Sequence, residues 1–171
     1  MERIIDMERI IRLVESLNRP GTAEVVEYLK NSNFARIHGG GSHHRYKGGL
    51  VDHSFEVYEN MKRKCADTDI PEESIIVCSI FHDLGKTKVM KGHPAKSVAI
   101  LNSCGFELKE EEIHAIENHH RLIVTSNVLY GKLHRSDMES TGDWQAGHSS
   151  KNQPIGKKIK KLLMHLYSKM D

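Results

Sequence analysis

In the stretch FHDLGK (81–86), His82 and Asp83 stand side by side where the apolar run SIIVCSIF ends. A buried, unpaired carboxylate is costly, so Asp83 at the inner end of such a helix calls for a cation or strong donors. A bound metal would satisfy both side chains. More residues of the same chemistry lie along the chain: His53 upstream, then His93, the pair His119 and His120, and Asp137 downstream. Each falls near the end of a predicted helix, where several helices can turn their side chains into one cavity. The competing reading is a buried hydrogen-bonded set without metal. A cluster of imidazoles with two carboxylates favours Mn, Fe, Co, Ni or Zn over Mg, which prefers an all-oxygen shell.

These residues need elements to carry them. Ile4, Ile5, Ile10, Ile11, Val14 and Leu17 make a helical apolar stripe, stopped by Asn18-Arg19-Pro20-Gly21. Thr22 reads as the N-cap of a second helix, Ala23 to Lys30, with Val25, Val26 and Leu29 inward. The segment HGGGSHHRYKGG (38–49) reads as a loop. A helix follows from Leu50 to Lys64, with Val51, Phe55, Tyr58 and Met61 as core positions. Pro71 then opens a helix from Glu72 to Leu84 that is apolar nearly all round and so central, with Gly85 as its C′ glycine. Further helices are predicted over Pro94–Ser103, 109–120 and 126–141, then a loop over 141–156 and a basic amphipathic C-terminal helix, KKIKKLLMHLYSKM. With almost no strand signal, the predicted fold is all-α, one helical domain over 1–171 with the metal site at the centre of the bundle.

Bulk properties remove some functions. The 25 Lys and Arg against 23 Asp and Glu give no global charge argument for nucleic acid or membrane binding. Three cysteines without a CxxC pair suit a reducing cytosol, and no stretch approaches the roughly 20 apolar residues of a membrane span. A cytoplasmic protein is expected. The apolar residues of the C-terminal helix, Ile159, Leu162, Leu163 and Leu166, are expected to pack on the domain or on a second copy of the chain, as a homo-oligomer, with its lysines in water.

The order His, His-Asp, Asp around FHDLGK resembles the HD superfamily of metal-dependent phosphohydrolases. The likeness extends through YLKNSNF, HHRYKGGLVDHSFEVYENM, GHPAKSVAIL and LHRSDMEST to the small stand-alone HD hydrolases of phage and prophage genomes, over about residues 20–141. If the gene is phage-encoded, the location implied is the host cytoplasm. The resemblance implies that His53, His82, Asp83 and Asp137 hold one metal; Asp137 is preferred to Asp143 because it lies in LHRSDMEST. GHP (92–94) and NHH (118–120) are similar to the elements that hold a second metal in HD phosphodiesterases. That likeness implies His93, His119 and His120 as its ligands, with Asp83 bridging. The GYP signature is absent, so cyclic di-GMP specificity does not carry over.

The implied mechanism is hydrolysis at phosphorus by metal-activated hydroxide. The lysine that follows HD-x-G in HD enzymes lies close to the metal, which ranks Lys86 first as the group that neutralises phosphate oxygens. Lys96, also near in sequence, and Arg45 and His43 of the glycine-rich loop are the other candidate substrate contacts. The leading expectation is a phosphodiesterase acting on a nucleotide-type phosphodiester, a cyclic nucleotide or short oligonucleotide, with no long nucleic acid as partner. A nucleotidase or deoxynucleotide triphosphohydrolase would need only His53, His82, Asp83 and Asp137. A non-catalytic protein that sequesters a nucleotide would bind tightly without product.

Overall fold

The computed structural model describes residues 2–40 and 43–141. Over these the chain is helical: α1 (Glu2–Glu15), α2 (Thr22–Asn31), α3 (Gly49–Lys64), α4 (Glu72–Phe81), α5 (His93–Ser103), α6 (Glu110–Asn118) and α7 (Val128–Ser140). Short 3₁₀ turns occupy Phe34–Arg36 and Leu84–Thr87, and no strand occurs among the described residues. The predicted loop over 141–156, which carries Asp143 and Trp144, and the basic C-terminal helix lie outside the described residues, as do the side chains of Ile4 and Ile5.

α4 is the hub, because a helix apolar on every face must be enclosed on every face. Every residue from Ser74 to Phe81 is buried, and the helix packs on α1, α3, α6 and α7. Truncating Phe81, which is fully buried, to alanine would cost about 3–5 kcal/mol. The predicted core positions Ile10, Val14, Leu17, Val25, Val26, Leu29, Val51, Tyr58 and Met61 are buried, and Phe55 packs partly against them.

α4 and α6 run side by side in the same direction. Ser74, in the first turn of α4, donates to Glu112 in the first turn of α6 at 2.7 Å, while the rings of His82 and His119, just past the two C-termini, stand 4.8 Å apart. The C-terminal carbonyl ends of both helices therefore face one place, which favours positive charge there. α3 and α7, packed on each other and on α4, deliver His53 and Asp137 to the same place.

Four predicted boundaries are corrected. Thr22 does not cap α2: it is the first helical residue, Gly21 occupies the cap position, and the Thr22 hydroxyl donates back to the Arg19 carbonyl at 2.8 Å. α4 ends at Phe81 rather than Leu84, because the chain tightens into the 3₁₀ turn, with the Lys86 N–H donating to the Asp83 carbonyl at 2.9 Å. Gly85 is not a left-handed C′ glycine. It is required by close approach instead, since a Cβ there would lie 2.1 Å from the His93 carbonyl oxygen. α6 stops at Asn118, so His119 and His120 sit in the turn beyond it rather than on the helix. No helix among the described residues is long and apolar enough to cross a membrane.

Candidate metal centre

The chain bends sharply after α4, and that bend aims Asp83. The Ser97 hydroxyl, fully buried on α5, accepts from the Gly85 N–H at 2.8 Å and donates to the His82 carbonyl at 2.8 Å, with the His93 carbonyl at 3.0 Å. One serine thus ties the turn that carries His82 and Asp83 to the start of the helix that carries His93.

The two carboxylate oxygens of Asp83 face different partners. Oδ2 lies 3.4 Å from His53 Nε2 and 3.5 Å from His82 Nε2, and takes a hydrogen bond from Lys86 Nζ at 2.5 Å. Oδ1 lies 2.9 Å from His93 Nε2 and 3.5 Å from His119 Nε2. Asp137 closes the first group, with Oδ1 3.1 Å from His53 Nε2 and 3.7 Å from His82 Nε2. His120 closes the second, with Nε2 2.9 Å from His93 Nε2 and Nδ1 3.8 Å from Asp137 Oδ2. Donor atoms of Asp83, His93, His119 and His120 lie within 4.8 Å of one another, as do those of His53, His82 and Asp83. All the metal ligands expected from the sequence come together here. All are buried except His120, whose side chain is 46 % exposed.

Proton positions test whether this set fits a metal. The Nδ1 atoms of His82, His93 and His119 lie 2.8, 2.7 and 2.7 Å from the carbonyls of Ser79, Met90 and Ile116. A carbonyl only accepts, so each Nδ1 carries a proton and each ring turns Nε2, the atom a metal would take, inward. His53 reaches the same state through Ser140, whose Oγ lies 3.0 Å from Nδ1 and donates onward to Glu56. Lone pairs and carboxylates thus converge in a buried space. Asp83 Oδ1, Asp137 Oδ1 and His119 Nε2 are all without a hydrogen-bond partner. Buried acceptors left unmatched in this way fit a divalent transition metal, whose ligands must be deprotonated.

The electrostatics divide the set. Burial lowers the His82 pKa to about 3, which keeps the ring neutral. Burial would raise Asp83, but His82, His119, His93 and Lys86 outweigh it and hold the carboxyl well below its usual range. Asp137 is likewise held low against burial, by the close approach of His53 at 3.1 Å and the neighbouring histidines. His119 goes the other way: burial lowers it, yet Asp83 and Asp137 pull its pKa above the ordinary value.

The candidate substrate contacts are placed less uniformly. Lys86 belongs to the centre, with Nζ 2.5 Å from both Asp83 Oδ2 and the Gly39 carbonyl. Lys96 is exposed on α5, and no described contact joins its side chain to the cluster. His43 and Arg45 are exposed on the glycine-rich segment, which folds back through a bridge between Gly40 and His44. The histidine of that segment nearest the ligands is His44, buried beside His53 with ring centroids 5.4 Å apart.

Sequence reasoning passed over several supports. His134 donates from Nδ1 to the His119 carbonyl at 2.6 Å, and its place one turn before Asp137 on α7 was a usable signal. Glu56, one turn after His53 on α3, carried the same signal. Ser97 and Ser140 carried none, since their partners are distant in the chain.

A helical bundle with a His-Asp pair at its centre, flanked by histidines and a second aspartate, defines a metal-dependent hydrolase. The sequence model of the HD domain matches residues 50–163, and the chain belongs to the HD domain family. No curated protein and no solved structure matches the chain.

Proposed function

We propose that the protein is a phosphodiesterase, hydrolysing a nucleotide-type phosphodiester at a pair of divalent ions bridged by Asp83. The observation that carries this reading is the division of the Asp83 carboxylate, with Oδ2 toward His53 and His82 and Oδ1 toward His93 and His119. His53, His82 and Asp137 would complete one ion's shell, and His93, His119 and His120 the other's. When bound, such ions acidify water and offset charge on phosphoryl oxygens. The chain supplies the rest. Rings whose tautomers are already fixed need no rearrangement to present their lone pairs. Lys86, anchored to Asp83 and to the Gly39 carbonyl, places a positive charge where phosphate oxygens gain negative charge. His43 and Arg45 on the glycine-rich segment would contact the remainder of the substrate.

The test pairs metal content with substrate choice. Elemental mass spectrometry of protein purified without chelators should find two ions per chain, falling to one in His93→Ala with His119→Ala. The wild type should cleave bis(p-nitrophenyl) phosphate faster than p-nitrophenyl phosphate, and the double variant should lose that diester activity. One ion in both proteins, with monoester cleavage surviving the substitutions, would overturn this reading in favour of a nucleotidase. Tight nucleotide binding with no product would favour the sequestering protein.

A further inference from the structure

The histidine rings are not all held in the same way. His82, His93 and His119 give their Nδ1 protons to backbone carbonyls, which no substitution can remove. His53 depends on side chains: its Nδ1 meets Ser140 Oγ at 3.0 Å, and Ser140 donates to Glu56 Oε2 at 3.2 Å. The same Glu56 oxygen lies 3.1 Å from Nε2 of His44, a ring buried to 7 % exposure in the glycine-rich segment. A hydroxyl has one proton. With that proton committed to Glu56, Ser140 can only accept from His53, which keeps the His53 proton on Nδ1 and its Nε2 bare.

We propose that Ser140 and Glu56 are positioning residues that hold His53 in its metal-binding tautomer, and that Glu56 ties this ligand to the glycine-rich segment through His44. The inference rests on the metal centre described above. Its physical content is a competition. Asp137 Oδ1 waits 3.1 Å from His53 Nε2. Without an acceptor at Nδ1, the proton moves to Nε2, where it bonds to Asp137 and blocks the lone pair a metal needs. A carboxylate behind a ligand histidine is a common support; here it acts through an intervening serine.

The experiment titrates the chelator-stripped full chain with Co²⁺, following visible absorption and competition with a chelating dye. Ser140→Ala and Glu56→Ala should each weaken one ion-binding step by roughly 10–100-fold, with Glu56→Gln, which keeps an oxygen for Ser140, recovering part of the loss. The melting temperature of metal-free Ser140→Ala should match that of the wild type. Trypsin should cut at Arg45 or Lys47 faster in Glu56→Ala than in Ser140→Ala, since only the former releases His44. Affinities within about 3-fold of wild type in both alanine variants would overturn the proposal, as would a Glu56→Gln no better than Glu56→Ala. If Glu56→Ala fails to fold, Ser140→Ala alone decides. A wild type that takes up no Co²⁺ would instead break the metal-centre reading itself.

Discussion

Two buried polar clusters sit at opposite ends of the α4–α6 pair, and they are built on opposite rules. At the N-terminal end every group is matched. Glu112 accepts from Arg19 Nη1 and Nη2 at 2.7 and 2.8 Å, from Ser74 Oγ at 2.7 Å and from the Lys109 N–H at 3.0 Å. The remaining Arg19 nitrogen, Nε, goes to Glu73 at 3.3 Å. At the C-terminal end, carboxylate oxygens and imidazole nitrogens face one another, and several stay unmatched. A protein that folds the first arrangement can satisfy a buried charge when structure is the only demand. The second, at the other end of the same two helices, is therefore read as a site whose missing partner comes from outside the chain.

The contrast breaks most readily at Asp83. Asp83→Asn should abolish ion uptake and cut hydrolysis by roughly 10³-fold or more, about 4 kcal/mol of barrier. Glu112→Ala should act on stability instead. Leaving Arg19 buried without its partner should cost about 3–5 kcal/mol, or roughly 6–20 °C in melting temperature, with ion stoichiometry unchanged.

Chelation then tests independence. Each ion at a hundredfold excess over its Kd should add about 2.7 kcal/mol to stability. The clusters lie about eight residues apart along α4, roughly 12 Å, so that increment should persist in Glu112→Ala within about 0.5 kcal/mol.

Acid should sharpen the comparison by separating the two ends in pH. The ring of His82 stays neutral in the fold, its pKa lowered by burial from 6.5 to about 3. Only the unfolded chain takes that proton, so its contribution is full above pH 6.5 and drains as pH falls toward 3. His119, raised by the aspartates, has the opposite sign and offsets part of this. Burial would raise Glu112, but Arg19 holds it below its ordinary 4.5, so its contribution is full above pH 4.5 and is lost only below. Chelated protein should therefore lose about 1 kcal/mol per pH unit starting near 6.5, with a further decline under 4.5 that Glu112→Gln makes shallower, the depressed Asp83 and Asp137 carboxyls keeping the rest of it below 3.8. Urea unfolding across pH would show it. The smallest effect belongs to Lys96→Ala: with its side chain in solvent, stability should change by under about 0.5 kcal/mol and diester turnover by less than about twofold.

How far these clusters could be read from sequence differs for a physical reason. The clustering of the candidate residues was legible at His82 and Asp83, where a carboxylate at the end of an apolar run carries a desolvation cost, and elsewhere through the resemblance to the HD family; the helices were legible because burial imposes a period. The Arg19–Glu112 pair was not, since Asn18-Arg19-Pro20-Gly21 reads only as a helix stop and its partner lies in a distant element. Helix ends were missed where tertiary contacts overrode local preference. α4 stops early because Ser97 captures the Gly85 N–H and the His82 carbonyl, which no local pattern announces.

The contact at Gly85 also governs how the sequence can change. A Cβ there would collide with the His93 carbonyl at 2.1 Å and the Ser97 nitrogen at 2.8 Å, both backbone atoms that cannot swing aside. Even alanine would wedge α5 away from the turn and separate His93 from Asp83. In a scan of every single variant, position 85 should thus be as intolerant as the ion-holding positions, and metal supplementation should not rescue it. A residue with no side chain sets the gauge between the two halves of the site.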